Sequence, residues 1–169
     1  AGGTGTRLYP LTCVLNKQLL PVHDKPLIYY PLTTLISSGI SEICIIANNQ
    51  EIEQFKQLLG NGYKFGIKLE YREQPSPEGI PQAFTIASDF IGQDDVCLIL
   101  GDNIFVDSGE IRSAICGFRR GASIFGYQVK DPRQFGVIEF DGLGRPKRIV
   151  EKPKSTTSNT IIPGLYLYD

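Results

Sequence analysis

The residues best suited to chemistry fall in a few short segments, and the first is glycine-rich: Ala1-Gly2-Gly3-Thr4-Gly5-Thr6-Arg7. Glycines let backbone N–H groups approach an anion closely and take up positive φ. The loop departs from Gly-x-Gly-x-x-Gly, because Leu8 stands where the third glycine belongs. No Gly-Lys-Ser/Thr follows to make a P-loop either. A dinucleotide-binding dehydrogenase is disfavoured on that ground. Alone, the loop reads equally as a structural turn, and Lys17 as a solvated surface charge. Together they read differently. Arg7 and Lys17 flank a phosphate-shaped loop and a proline-stiffened run that continues Gln18-Leu19-Leu20-Pro21-Val22 and then Lys25-Pro26. Two fixed cations beside backbone donors suit a triphosphate, whose charge must be neutralised as its α-phosphorus is attacked.

Three further segments carry candidate groups. Gln74-Pro75-Ser76-Pro77-Glu78-Gly79-Ile80-Pro81-Gln82-Ala83 follows a strand and opens a helix. Its prolines and glycine make a rigid loop at the carboxyl end of a strand, where open α/β sheets bind ligands. An amide there can offer a base edge both a donor and an acceptor, although a plain connection with a solvated Gln74 reads as well. Leu100-Gly101-Asp102-Asn103 ends the most apolar strand and delivers a carboxylate. Mg²⁺ takes one or two carboxylates plus phosphate oxygens and water; the alternative is an Asp capping the next turn. Phe135-Gly136-Val137 and Val150-Glu151-Lys152-Pro153 complete the set. Asp94 and Asp95 lack such a setting and read as loop charges. His23, the single imidazole, reads as structural, without ligand-spaced partners for zinc.

These groups need a scaffold. With 169 residues and 18.7 kDa the chain has the length of one domain. Hydrophobic residues are 41% and charged residues 21%, which argues against disorder, collagen and coiled coil. Lys plus Arg is 17 against 18 Asp plus Glu, so the basic excess of a nucleic-acid binder is missing. No run approaches the roughly 18 apolar residues of a membrane span. No glycosylation sequon or signal peptide is present. Cys13, Cys44, Cys97 and Cys116 form no CxxC motif, and the pattern predicts reduced, buried thiols in a cytosolic protein.

Ile43–Ala47, residues 68–71 and Val96–Leu100 are strand candidates, the last apolar throughout as if covered on both faces. Helical patterns over Leu27–Ser38, Ile52–Leu59 and Pro81–Phe90 alternate with them, implying parallel βαβ units. Gly39 should stop the first helix and Pro31 should kink it. After a helical stretch at 111–119, strands at Ser123–Val129, Val137–Phe140, Arg148–Val150 and Ile161–Tyr168 follow, with a hairpin turn at Asp141-Gly142-Leu143-Gly144. The chain lacks Met and opens directly on the glycine loop, so it reads as an internal fragment whose first strand and C-terminal part lie outside it.

The order Gly-Gly-x-Gly-Thr-Arg-Leu-x-Pro-Leu-Thr, Lys-Gln-Leu-Leu-Pro-Val, Gly-Asp-Asn and Glu-Lys-Pro resembles the sugar-1-phosphate nucleotidyltransferases, and among them the thymidylyltransferases, over the whole length. The resemblance implies an α/β fold over residues 1–169. This is a Rossmann-like, doubly wound mixed sheet of the nucleotide-diphospho-sugar transferase type, partly antiparallel in its C-terminal part. It implies thymidylyl transfer from dTTP to glucose 1-phosphate, with in-line attack and loss of pyrophosphate. Arg7 and Lys17 are then the catalytic cations. Gly2, Gly3, Thr4, Gly5, Thr6, Gln18, Gln74 and Gly79 bind the nucleotide, with Gln74 and Gly79 on the base. Asn103, Gly136, Glu151, Lys152 and Ile162 bind the sugar phosphate, and Asp102 holds Mg²⁺. Phe135 stands where the family more often has Tyr, losing a hydroxyl. The resemblance also implies a second metal carboxylate beyond Asp169, a cytoplasmic homotetramer, and neither nucleic-acid nor membrane partners. A uridylyl- or cytidylyltransferase and a non-catalytic nucleotide-binding homologue are the competing readings; the second should have lost Lys17 or Asp102, and both are present.

Overall fold

The structure, a computed structural model, describes residues 8–76, 78–106 and 109–169. The chain divides into two compact units, Ala1–Asp95 with Leu100–Phe118, and Val96–Ile99 with Arg119–Asp169.

In the first unit, β1 (Pro21–Val22) and β2 (Lys25–Pro26) make a small hairpin in which Val22 pairs with Lys25. His23 sits exposed in its turn at φ 60, a left-handed conformation that His tolerates better than most residues, in keeping with a structural role. The helix α1 (Tyr29–Ser37) follows, burying Leu32 and Leu35. It ends as expected at Gly39, φ 88, where the Gly39 and Ile40 N–H groups donate to the Ile36 and Leu35 carbonyls. The expected kink has no cause, because Pro31 falls in the first turn, where the lost N–H would have had no helical acceptor.

β3 (Glu42–Ala47) buries Ile43, Ile45 and Ala47 on one face. α2 (Asn49–Leu59) buries Ile52, Phe55 and Leu59, spaced to form one helical stripe. It starts three residues earlier than its apolar pattern, because the Asn48 side chain caps the Glu51 N–H at 3.0 Å. β4 (Lys68–Glu73) then pairs parallel with β3, from Glu42 opposite Lys68 to Ala47 opposite Glu73. This is the expected βαβ unit. The single helix expected over Pro81–Phe90 is two short pieces, α3 (Gln82–Ile86) and α4 (Ser88–Ile91), broken at Ala87, which is buried at φ −98, ψ 12. The helix α5 (Gly109–Gly117) buries Ile111.

The second unit is antiparallel. β5 (Val96–Ile99), β6 (Ala122–Ile124), β7 (Tyr127–Gln128), β8 (Gly136–Phe140), β9 (Pro146–Glu151), β10 (Thr160–Ile161) and β11 (Leu165–Tyr168) form two sheets, ordered β5-β11-β6 and β7-β10-β8-β9. Val137, Ile138, Ile161, Leu165 and Leu167 are buried. Two expected strands are each split between the sheets. Ser123–Val129 divides at Phe125-Gly126, and Ile161–Tyr168 divides at Ile162-Pro163-Gly164, where proline withholds a ladder donor. The expected hairpin turn joins β8 to β9; the Asp141 carboxylate accepts from the Leu143 and Arg145 N–H groups, and Gly144 takes φ 75. β5 corrects a further expectation. All four of its residues are only half-buried, and it is an edge strand among the described residues.

The cysteines correct another. No disulfide joins the four, but Cys13 and Cys116 are exposed. Burial pushes the Cys44 thiol up to about 11 and the Cys97 thiol up to about 12.

Two tests follow from these positions. Ala at Gly39 meets nothing within 4 Å and bears only left-handed backbone strain, so it should cost about 1–2 kcal/mol. Ala at Gly62, φ 86, would also set its Cβ 2.7 Å from the Ile67 carbonyl oxygen and 2.9 Å from Leu69 Cγ. It should cost roughly 2–4 kcal/mol as overpacking adds to strain; urea midpoints that rank the two the other way would contradict this packing. The thiols give a second test. At pH 8, alkylation read by mass spectrometry should modify Cys13 and Cys116 in the native protein, and Cys44 and Cys97 only after unfolding, because thiolate is the reactive form.

Candidate active site

Lys17 is fixed from below. Asn16, buried, caps a 3-10 turn over Lys17–Leu19 by accepting from the Gln18 N–H at 2.7 Å. The Ile28 N–H donates to the Gln18 carbonyl at 2.8 Å and the Leu27 N–H to the Leu20 carbonyl at 3.0 Å, tying this turn to the start of α1. The backbone under Lys17 is therefore held at both flanks. Nothing in the motif reading pointed to Asn16, although Asn directly before a turn is a capping signal.

The partner is Asp102. Lys17 Nζ lies 2.8 Å from Asp102 Oδ2, with both side chains about one-third exposed (32% and 34%). The Asn103 Nδ2 donates to Asp102 Oδ1 at 3.2 Å, so each carboxylate oxygen has a donor. Asp102 stands in a tight turn closed by the Asn103 N–H on the Leu100 carbonyl at 3.1 Å, directly after the end of β5. Three sequence-predicted residues, Lys17, Asp102 and Asn103, are thus brought together. No cluster of three or more His, Cys, Asp or Glu able to hold a metal occurs among the described residues. One accessible carboxylate fits an ion such as Mg²⁺, which takes its remaining ligands from phosphates and water.

Gln18 is buried, and no donor among the described residues reaches its Oε1. A buried acceptor left so is costly, and Glu51 Oε2 and Gln54 Oε1 share that state among the described residues. The loop after β4 is anchored by the Gln74 N–H on the Ala47 carbonyl at 2.8 Å. Gln74 Nε2 donates to Gln82 Oε1 at 2.6 Å, and the same oxygen accepts from the Glu78 N–H at 3.2 Å. Gly79 takes φ 98. Gln82 was not singled out in the sequence, where it is indistinguishable from a surface amide at a helix start. Gly2, Gly3, Thr4, Gly5, Thr6 and Arg7 lie outside the described residues.

Within the second unit, Gly136, Glu151, Lys152 and Ile162, four of the five residues expected at the sugar phosphate, come together; the fifth, Asn103, belongs to the first unit. Gly136 pairs with Glu151 across β8 and β9, and the Ile162 N–H donates to the Gly136 carbonyl at 2.8 Å. A Cβ on Gly136 would stand 3.3 Å from Glu151 Oε2. The Lys152 N–H donates to the Phe135 carbonyl at 3.0 Å, and its Nζ lies 3.2 Å from Glu151 Oε1. Burial, then the nearby Tyr168 and Glu151 charges, raises the Tyr166 phenol above its ordinary value.

A cation paired with a carboxylate just after a strand suits the handling of phosphates and a metal, and similarity to known proteins gives the family. The Nucleotidyl transferase family model matches residues 1–169, and the chain belongs to that family. It is 50% identical over 171 residues to the glucose-1-phosphate thymidylyltransferase of Neisseria meningitidis serogroup A, covering all of this chain and 59% of that protein. It is 47% identical over 171 residues to the Mycobacterium tuberculosis protein of the same name, with the same coverage. The chain thus spans about three-fifths of the curated relatives it matches. Among solved structures, a Bacillus anthracis protein assigned as a glucose-1-phosphate thymidylyltransferase, with sucrose bound, superposes with TM-score 0.93 at 40% identity, over all of this chain and 69% of that one. A UDP-glucose pyrophosphorylase with UDP-glucose superposes with TM-score 0.84 at 22% identity, over 99% of this chain and 73% of that one, which shows the shared mixed α/β fold.

The exposure of the Lys17–Asp102 pair sets its structural weight. Asp102→Asn should shift unfolding free energy by under about 1 kcal/mol, the range of solvent-screened ion pairs. A larger loss in denaturant titration would make the pair a folding element.

Proposed function

We propose that this chain carries the catalytic centre of a glucose-1-phosphate thymidylyltransferase, joining dTTP and glucose 1-phosphate to give dTDP-glucose and pyrophosphate. The observation that carries the reading is the pairing of Lys17 with Asp102, 2.8 Å apart, which joins two motifs 85 residues apart in the chain. Relatives at about half identity that carry this name support the choice of substrates.

In this reading Lys17 gives up Asp102 and places its ammonium on the α-phosphate, joined by Arg7. Gly2 to Thr6 supply backbone and hydroxyl donors to the phosphates, Gln18 and Gln74 meet the nucleotide, and Gly79 lets the backbone approach the base. Glu151 accepts from sugar hydroxyls, Lys152 holds the sugar phosphate, and Asn103, Gly136 and Ile162 line the sugar. Asp102, relieved of Lys17, holds Mg²⁺, which supplies charge neutralisation on the phosphates when bound. No side chain is needed as nucleophile, since the sugar phosphate itself attacks in line. The same reading makes the protein a cytoplasmic homo-oligomer, a tetramer as in the family it resembles, with small-molecule partners only; among the described residues no helix is long and apolar enough to cross a membrane.

The test is a nucleotide panel on the complete protein with glucose 1-phosphate and Mg²⁺, reading pyrophosphate release. dTTP should be the best substrate; a preference for UTP or CTP would move the protein to a sister activity, and no turnover with any would make it a binding homologue. Lys17→Ala should lose roughly a hundredfold to a thousandfold in turnover, the usual weight of one charge-stabilising contact of about 3–4 kcal/mol. A loss under threefold would remove Lys17 from the reaction.

A further inference from the structure

We propose that Gln82, which meets no substrate itself, fixes which way round the Gln74 amide faces the base, and so sets discrimination of thymine and uracil from cytosine. The inference rests on Gln74 reading the base, as proposed above. A glutamine amide has an oxygen and a nitrogen of nearly equal size, and the two orientations related by a half-turn differ only in where the donors and the acceptor stand. Thymine and uracil present an acceptor at O4 next to a donor at N3–H. Cytosine presents the reverse, a donor at its 4-amino group next to an acceptor at N3. One orientation of a facing amide therefore matches thymine and uracil and the other matches cytosine, so an amide free to turn reads neither.

The structure contains a chain of bonds that removes this freedom. The Glu78 backbone N–H can only donate, and it lies 3.2 Å from Gln82 Oε1. That contact orients Gln82 with its oxygen toward the loop. The same Oε1 then accepts from Gln74 Nε2 at 2.6 Å, which requires Gln74 to turn its nitrogen, not its oxygen, toward Gln82. The Gln74 backbone cannot shift to compensate, because its N–H is held by the Ala47 carbonyl at the end of β3. One N–H of Gln74 is thus committed to Gln82, while its second N–H and its Oε1 remain for a ligand. The polarity of an unambiguous backbone donor is passed through two side-chain amides to the base edge. A half-buried Gln82, at the first residue of α3, is placed to do this without touching nucleotide.

The test compares kcat/KM for dTTP, dUTP and dCTP in the complete wild-type protein, in Gln82→Met, which keeps the length and loses the acceptor, and in Gln82→Glu, which keeps the acceptor. In Gln82→Met the dTTP-to-dCTP ratio should fall by about tenfold or more, the scale of one mispaired bidentate contact, while the dTTP-to-dUTP ratio stays as it was. Gln82→Glu should keep both ratios near wild type. A role in loop stability alone would lower all three substrates together and leave the ratios unchanged; that result, or a Gln82→Glu protein that discriminates no better than Gln82→Met, overturns the proposal. A wild-type protein that uses dTTP and dCTP alike would overturn the thymine reading and this relay with it. A discriminating wild type with a discriminating Gln82→Met overturns the relay alone.

Discussion

The opposition of one ammonium and one carboxylate, Lys17 and Asp102 at 2.8 Å, is the contact around which the candidate site is built. Its members stand 85 residues apart in the chain. A site for a polyanion must hold cations for the phosphates and a carboxylate for a metal, and these neutralise each other when no ligand is present. The degree of burial decides whether that matters. A fully buried pair costs about 3–5 kcal/mol when one partner is taken away. A pair about one-third exposed contributes no more than about 1 kcal/mol. On the proposed function, exchanging Asp102 for phosphate oxygens therefore subtracts little from substrate binding.

What the pair needs from the fold is placement, and strand ends supply it. Asp102 follows β5 by three residues, Gln74 follows β4 directly, and Glu151 closes β9. Strand ends are rigid because the ladder behind them is bonded, yet their last residues have no ladder of their own to satisfy. Gln74 shows the transition, since its N–H continues the β4 pairing onto Ala47 while its side chain already belongs to the loop. On the Lys17 side the same fixing comes without a strand, from the Asn16 cap and two backbone bonds to the start of α1.

Much of this was legible in the sequence. That residues 43–47 and 96–99 are strands, that Ile52, Phe55 and Leu59 form a helical stripe and that Gly39 stops a helix each depend on local physics, and each element formed where expected. The errors came where non-local pairing decides. An apolar run such as Val96–Leu100 has the composition of a strand covered on both faces, yet composition does not say how many neighbours it has; β5 is half-buried at an edge of its described sheet. Residues 123–129 and 161–168 read as continuous because most of their residues suit a strand; the first breaks at its glycine and the second at Pro163-Gly164, and the sheet to which each half bonds is fixed by partners far away in sequence. Of the four thiols expected to be buried, Cys13 and Cys116 are exposed and Cys44 and Cys97 half-buried, because cysteine's preference for cores is a tendency and not a constraint. For the candidate site, the motifs that carry the family resemblance singled out Lys17 and Asp102, and the structure pairs them. Asn16 and Gln82 were missed because what they do is bond to the loops around them, which a linear pattern does not encode.

The second unit repeats the logic of the first by a different device. Successive side chains of a strand point to opposite faces, so neighbouring residues such as Glu151 and Lys152 should not meet. They do, with Nζ 3.2 Å from Oε1. The reason lies in the backbone: Lys152 is just past the end of β9 and takes φ 42. Pro153 disfavours the right-handed helical region for the residue before it, and the left-handed alternative costs a non-glycine residue about 1–2 kcal/mol. The Lys152 N–H bond to the Phe135 carbonyl, ahead of β8, holds the residue in that state. Strain of this kind persists only where surrounding structure over-determines it, and it concentrates at functional positions. Breaking the alternation puts a carboxylate and an ammonium on the same side of the strand end, opposite a glycine whose missing side chain leaves Glu151 its room. On the proposed function, a sugar phosphate, with hydroxyls at one end and a dianion at the other, is the ligand such an unlike pair suits.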